Sequence, residues 1–296
     1  MGPRVTNLRP MSAGLSLDSQ LSNIASRLSP APRVFRRLSM VMREPQVRLD
    51  EIAACVQIDA ALAARILKLA CSAGVGIPDP PGSLAEAIER IGLYEVYRLV
   101  GAAMASDLYE RKALPIYGLT GDDIWRNSVT TAAALESLCR RAGEDASAGY
   151  TLGLLRPVGR LLLQGLADEE EIRERGARQP TAALVAAWEF NTFGTTSTEA
   201  VDRVFQFWGF PASLSEPVRH HFAPSGDPSQ HRTTALLHLA CWITAELGHG
   251  LSIERHAWAP SASVLAQAGL TLEDAVRGVS RTRSVADRIE ELLRHI

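Results

Sequence analysis

The sequence predicts an all-α fold, and three observations carry that prediction. Apolar residues recur at three- and four-residue spacing in one run after another, the period of a helix with a single buried stripe. Residues that cap helices stand ahead of several runs: Asp50, Asp59, Ser83-Leu-Ala-Glu86 and Thr196-Ser-Thr-Glu199. No convincing alternating run of β-branched residues marks a half-buried strand.

Taken in order, Leu21, Ile24 and Leu28 form a first stripe, which Ser29-Pro30-Ala31-Pro32 interrupts. Val34, Leu38, Val41 and Met42 form a second. Asp50 is read as the N-cap of a helix over 51–58, and Asp59 as that of a helix over 60–70. Gly74, Gly76 and Pro78-Asp79-Pro80-Pro81 close this pair. Ile88, Ile91, Val96 and Val100 continue the pattern around a turn at Gly92. A break at 114–121 follows, then stripes through Ile124–Leu138 and Tyr150–Leu162. Pro157 lies inside the latter and is expected to kink it, because proline removes one ladder hydrogen bond and crowds the carbonyl near Gly153. Pro180 opens a helix through Trp188, Thr196 one through Trp208, and Ser213 one that carries His220 and His221. Thr233–Leu247 and Leu270–Ile296 read as helices on either side of an irregular joint. No fixed-period repeat is evident.

The 296 residues allow one large or two modest domains, and 46% hydrophobic with 22% charged residues is an ordinary globular balance. The reading is a loose tail over 1–20, a helical domain over 21–232, and a helical C-terminal section over 233–296 that packs on the domain or extends it. A formal net charge of −2 recommends neither nucleic acid nor an anionic membrane. Cys55, Cys71, Cys139 and Cys241 are dispersed in apolar runs without a Cys-x-x-Cys pair, as expected of buried thiols in a reducing compartment. No apolar run reaches the length of a membrane span and no signal-peptide core precedes the first stripe, so a cytoplasmic protein is expected.

Gly153-Leu154-Leu155-Arg156-Pro157-Val158-Gly159 resembles the Gly-Leu-Leu-His-Asp-Ile-Gly signature of the HD phosphohydrolase superfamily. From about Leu21 to Pro224 the chain resembles the HDOD domain, the HD-related output domain of bacterial signalling proteins. The Pro30/Pro32 entry, Gln57-Ile-Asp59-Ala-Ala-Leu62, Leu69-Ala-Cys71-Ser-Ala73, Ala87-Ile-x-x-Ile91-Gly92, Trp125-Arg-Asn127-Ser128, Trp208-Gly-Phe-Pro211 and His220-His221-x-x-Pro224 match its elements in order. The resemblance implies an HD-like helical bundle.

It also implies where a metal site would be. In HD-type enzymes a His, the His-Asp pair and a later Asp hold the metal. The corresponding positions carry Asn127, Arg156-Pro157 and Cys241, and a further His of the related HD-GYP phosphodiesterases falls near Ser197. A protonated guanidinium has no lone pair to give a metal, and proline has no side-chain donor. His220 and His221 remain, but neighbours on a helix point about 100° apart and do not converge on one ion. His238 and Cys241, three residues apart, have ligand spacing without further partners. A vestigial site is therefore expected at Asn127, Arg156, Pro157, Ser197, His220, His221 and Cys241, with no metal, cofactor or catalytic residue.

The expected function is a catalytically inactive HDOD-type regulator of bacterial signal transduction that works by protein contact. HDOD domains accompany receiver, kinase or cyclic-dinucleotide modules, so the expected partners are such proteins in trans; a homodimer is left open. One alternative is a residual HD-type metal-dependent phosphohydrolase or nucleotide-binding protein. A second is a helix-turn-helix DNA-binding regulator, since residues 49–70 have helix, turn, helix grammar. Only Arg65 and Lys68 on its second helix suit contact with DNA. No Gly-x-Ser-x-Gly elbow, P-loop or dinucleotide glycine pattern appears. Asp122-Asp123 and Glu169–Glu171 read as helix starts. The last helix carries one apolar stripe, Val285, Ile289, Leu292 and Leu293, flanked by Arg281, Arg283, Arg288 and Arg294. That stripe suits either core packing or a partner's groove.

Overall fold

A computed structural model describes residues 16–28, 31–42, 48–57, 60–72, 81–109, 112–167, 182–229 and 231–294. The fold is all-α. Its helices are α1 (Leu17–Arg27), α2 (Ala31–Val41), α3 (Leu49–Val56), α4 (Ala60–Ser72), α5 (Leu84–Ile91), α6 (Leu93–Tyr109), α7 (Gly121–Ala142), α8 (Ala146–Leu155), α9 (Val158–Leu166), α10 (Ala182–Phe193), α11 (Ser197–Trp208), α12 (Ala212–His220), α13 (Arg232–Glu246), α14 (Ala262–Ala268) and α15 (Leu272–Arg294). The extended pairing among the described residues is an isolated bridge between Leu114 and Leu119. No helix of the described residues is long and apolar enough to cross a membrane.

Helix α7 is the spine. Its start is fixed by a capping box: Thr120 accepts from the Asp123 amide and the Asp123 carboxylate accepts from the Thr120 amide. Gly143 in the left-handed region ends it. Between these stops α7 buries residues all round, and α6, α8, α13 and α15 pack on it. The approach of α8 is close enough to require glycine. A Cβ on Gly153 would lie 2.5 Å from the Cα of Ala132, and one on Gly149 2.7 Å from Cys139 Sγ. On the far side of Pro157, a Cβ on Gly159 would lie 1.8 Å from the Ser197 carbonyl oxygen at the start of α11. Both glycines of the Gly153–Gly159 frame are thus points where backbones nearly touch.

Several expectations need correction. Helix α1 starts at Leu17, where Ser16 caps the Ser19 amide, and Asp18 pairs with Arg203 at 2.9 Å. Asp50 is not an N-cap: it lies inside α3 and binds Arg48 at 2.7 Å. Helix α12 opens at Ala212 after Pro211, not at Ser213, and His221 is its C-cap. The last helix opens at Leu272, where Thr271 and Asp274 exchange capping hydrogen bonds, and the irregular joint before it contains α14. Pro157 does more than kink a helix. It separates α8 from α9, with Arg156 and Pro157 between them. Pro30, Asp59, Gly74, Gly76, Pro78, Glu169–Glu171 and Pro180, to which the sequence assigns breaks and helix starts, lie outside the described residues.

The stripe of α15 faces inward. Ala275, Thr282, Ala286 and Ile289 are buried, Val285 is half-buried, and the helix packs on α7, α13 and α6. Ion pairs tie its polar edge down: Arg141–Asp274 at 2.8 Å, Arg126–Glu290 at 3.0 Å and Arg288–Glu95 at 2.9 Å. The side chains of Leu292, Leu293 and Arg294 lie outside the described residues.

Candidate functional site

The break between α8 and α9 places Arg156 at a corner in the protein interior. Its amide still bonds Leu152 at 2.9 Å, and the Leu154 carbonyl beside the break accepts from the Tyr109 hydroxyl at 2.9 Å and from Ser128 at 2.8 Å. The corner is therefore satisfied, as buried backbone must be. Arg156 and Arg160, four residues apart, project to the same side, and both side chains are almost wholly buried.

Both guanidiniums converge on one carboxylate, Glu254, from the loop between α13 and α14. Arg156 Nη1 donates to Glu254 Oε1 at 2.8 Å, and Arg160 Nη2 lies 2.6 Å from the same oxygen. The second nitrogen of the Arg156 fork, Nη2, donates to Asn127 Oδ1 at 2.6 Å. The Asn127 amide nitrogen then donates to the His249 carbonyl at 2.9 Å, which sets the orientation of the amide. Arg156 Nη1 also lies 3.3 Å from His221 Nε2, while His221 Nδ1 is 2.6 Å from the Val218 carbonyl. A carbonyl only accepts, so Nδ1 carries the proton and Nε2 accepts from the arginine. Trp258 closes the cluster from outside. It stacks on His221 and Phe222 at ring separations of 5.3 and 4.7 Å, with Arg156 5.8 Å from its ring centre.

The charges follow from these contacts. Burial pushes the Glu254 carboxyl up, and the Arg156 and Arg160 guanidiniums more than reverse it, bringing it to about 2. Burial, and then the positive charge of Arg156, push the His221 imidazole down to about 3. Burial pushes the Cys241 thiol up to about 12, against the opposing pull of Arg156. Glu254 Oε2, Arg156 Nε and Arg160 Nε are buried without a hydrogen-bond partner.

Asn127, Arg156 and His221 are thus brought together, and Cys241 is buried within electrostatic reach of Arg156. Pro157 is buried at the break itself. Ser197 meets the site only through its backbone: its carbonyl abuts Gly159 and its amide donates to Glu189 at 2.8 Å. His220, half-buried, ends α12 and takes no part in the cluster described above. His238 does not pair with Cys241. Its Nδ1 donates to the His221 carbonyl at 2.8 Å and its Nε2 accepts from the Ala259 amide at 3.2 Å. The donor set does not fit a divalent cation, since two guanidiniums occupy its centre and the single carboxylate is bound to both. Among the described residues no group of three or more His, Cys, Asp or Glu is placed to hold a metal ion.

Sequence reasoning missed Glu254, Arg160 and Trp258. Arg160 carried a signal: with Arg156 it forms a pair of cations at helical spacing inside the apolar run 150–163, where charge is retained only against a partner. Glu254 is 98 residues from Arg156 and has no periodic context to mark it.

A curated but uncharacterized protein of Treponema pallidum (strain Nichols) is 25% identical over 223 residues, which are 71% of this chain and 41% of the relative, so the chain spans less than half of that protein. Among solved structures, a candidate signal transduction protein from Marinobacter aquaeolei VT8 superposes with a TM-score of 0.65 at 18% identity, over 98% of this chain and 68% of that one. A candidate phosphohydrolase from Shewanella amazonensis SB2B gives 0.63 at 21% identity, over 93% and 98%. These likenesses show the same helical fold. The HDOD domain model matches residues 28–224, about two thirds of the 296 residues, and the chain belongs to the HDOD family.

Proposed function

We propose that this chain is a regulatory HDOD domain that has given up hydrolysis and acts through contact with other signalling proteins. The observation that carries the reading is the Arg156–Glu254–Arg160 arrangement, which stands where the resemblance to HD-type enzymes would put a metal-binding pair. An ion pair there supplies rigidity in place of a reactive centre. His221 is neutral at ordinary pH with both ring nitrogens engaged, Glu254 is committed to two guanidiniums, and Cys241 is held as a thiol. None of the three is poised to act as base or nucleophile. With the inside of the bundle so used, an output signal is left to the surface, and the name of the Marinobacter neighbour supports a signalling setting.

Two measurements test the proposal. Elemental analysis of protein purified without chelator should find no stoichiometric divalent metal, and nucleotides and cyclic dinucleotides should be hydrolysed no faster than in a blank. Activity that follows the protein through successive columns overturns the inactive reading. Affinity capture from the native cell should then recover a kinase, receiver or cyclic-dinucleotide enzyme, whereas recovery of genomic DNA alone favours a DNA-binding regulator.

A further inference from the structure

The geometry points to a latent site for a phosphate-type oxyanion at Arg156 and Arg160, in which Glu254 is a built-in occupant that such an anion displaces. Two guanidiniums offer ten N–H bonds between them, in forks that match tetrahedral and planar oxyanions. The one carboxylate they share engages both through a single oxygen, Oε1. Its other oxygen and the Nε of each arginine are buried with no hydrogen-bond partner. Glu254 thus sets one negative charge against two positive ones and leaves the pair unsaturated. A phosphoryl group carries at least one more acceptor oxygen than a carboxylate and, as a dianion, matches the two cations charge for charge.

The surrounding groups leave that match standing. His221 is neutral and presents Nε2 to Arg156, and Asn127 presents only its carbonyl oxygen. The nearby carboxylate Glu189 has both oxygens engaged, by the Tyr117 hydroxyl at 2.8 Å and the Ser197 amide at 2.8 Å. The Tyr117 ring also lies 5.9 Å from the Arg160 guanidinium.

Glu254 comes from the connection between α13 and α14, apart from the helices that carry the arginines. It sits in a single 3-10 turn, Ser252–Glu254, between α13 and α14. The next residue but one, His256, has φ 69°, the only non-glycine residue at positive φ among the described residues. An open cavity of about 330 Å³ lies against this turn, lined by Trp242, Gly250, Glu254, His256 and Trp258 among others. Glu254 stands between that cavity and the arginines, lining the one and pairing with the others. Arg156 caps α8 and Arg160 lies in α9, and close backbone packing at Gly153 and Gly159 holds these two helices independently of the turn.

The test uses the full chain and inorganic phosphate, with chloride at matched ionic strength as control and phenyl phosphate to separate free phosphate from phosphate esters. Glu254→Gln keeps the shape and removes the competing charge. It should bind phosphate saturably and tighter than the wild type by about tenfold or more, since a like charge held against an anion site weakens it strongly. Saturation should also raise its melting temperature above the chloride control. A response to phosphate no larger than that of the wild type overturns the proposal and leaves Glu254 as a strut. If Glu254→Gln does not fold, hydrogen exchange of the wild-type chain decides: phosphate should speed exchange across 250–258 while leaving α8 and α9 protected. No change there at saturating phosphate overturns the proposal equally. Phenyl phosphate binding as well as phosphate assigns the site to esters, and exclusion of it assigns the site to the free ion. Neither result depends on the absence of hydrolysis or on a protein partner.

Discussion

Replacing Arg156 with methionine removes one guanidinium and leaves a shorter, unbranched apolar side chain. Two independent routes give the size of the effect. Breaking a buried ion pair by deleting one partner costs about 3–5 kcal/mol. The depression of the Glu254 carboxyl from 4.5 to about 2 corresponds to about 3 kcal/mol of stabilisation by its surroundings, of which Arg156 is the largest favourable part. Arg160 remains to hold Glu254, while Asn127 Oδ1 loses its donor, so about 3 kcal/mol is expected. At roughly 2–4 °C per kcal/mol for a chain of this class, the melting midpoint should fall by about 6–12 °C at pH 7. The pH dependence carries its own sign. Glu254 has a folded pKa below its unfolded value, so its contribution is fully present above about pH 4.5 and disappears as the pH falls towards 2. The gap between wild type and variant should therefore narrow in acid. Calorimetry or thermal circular dichroism measures it, and a double-mutant cycle with Glu254→Gln should show strong coupling. A variant that melts within about a degree of wild type at neutral pH refutes the reasoning, because no buried pair worth ~3 kcal/mol leaves so small a trace.

Three further outcomes follow from the same geometry. Gly159→Ala should destabilise by about 1–3 kcal/mol or prevent folding, because the new methyl meets a carbonyl oxygen and not a flexible side chain; an unchanged denaturant midpoint contradicts it. His221 is depressed to about 3 from 6.5, so its contribution is lost as the pH drops below about 6.5, and His221→Gln should flatten the decline in melting temperature between pH 7 and 5; an identical slope rejects this cause. Deleting Ser284–Ile296 removes Ala286, Ile289 and the Arg126–Glu290 and Arg288–Glu95 pairs, and should cost several kcal/mol, since burial of Ile289 alone contributes about 1.5–3 kcal/mol; near-native melting refutes a packing role for the end of α15.

The helices were legible because their signals are local. The Thr196–Glu199 box sits where the sequence puts it, since a hydroxyl and a carboxylate three residues apart need nothing else to close it. Errors at helix starts have the same origin. Asp50 looks like a cap until Arg48 is seen to bind it, and Asp50 then belongs to the first turn. For the site, the resemblance placed Asn127, Arg156 and His221 in one set, and they do meet. It also put Cys241 at the position of the family's later Asp, yet the carboxylate that answers Arg156 is Glu254, in the loop that follows the helix of Cys241. An ion pair between residues 98 apart leaves no period to read; only the presence of two arginines in an apolar run said that some carboxylate had to come. Trp258 was hidden for the same reason, in a joint whose loop residues carry neither helical nor alternating pattern.

The family match ends at residue 224, and the negative charge that answers Arg156 and Arg160 lies at 254. The charge compensation of the interior therefore crosses the family boundary. A fragment cut at 224 keeps both arginines facing inward and discards their only ion-pair partner among the described residues, together with Trp258, which covers them, and His249, whose carbonyl orients Asn127. Dissections of this protein by family limits alone would isolate a piece with two uncompensated interior cations, and any loss of behaviour in that piece would report on charge balance before it reported on signalling.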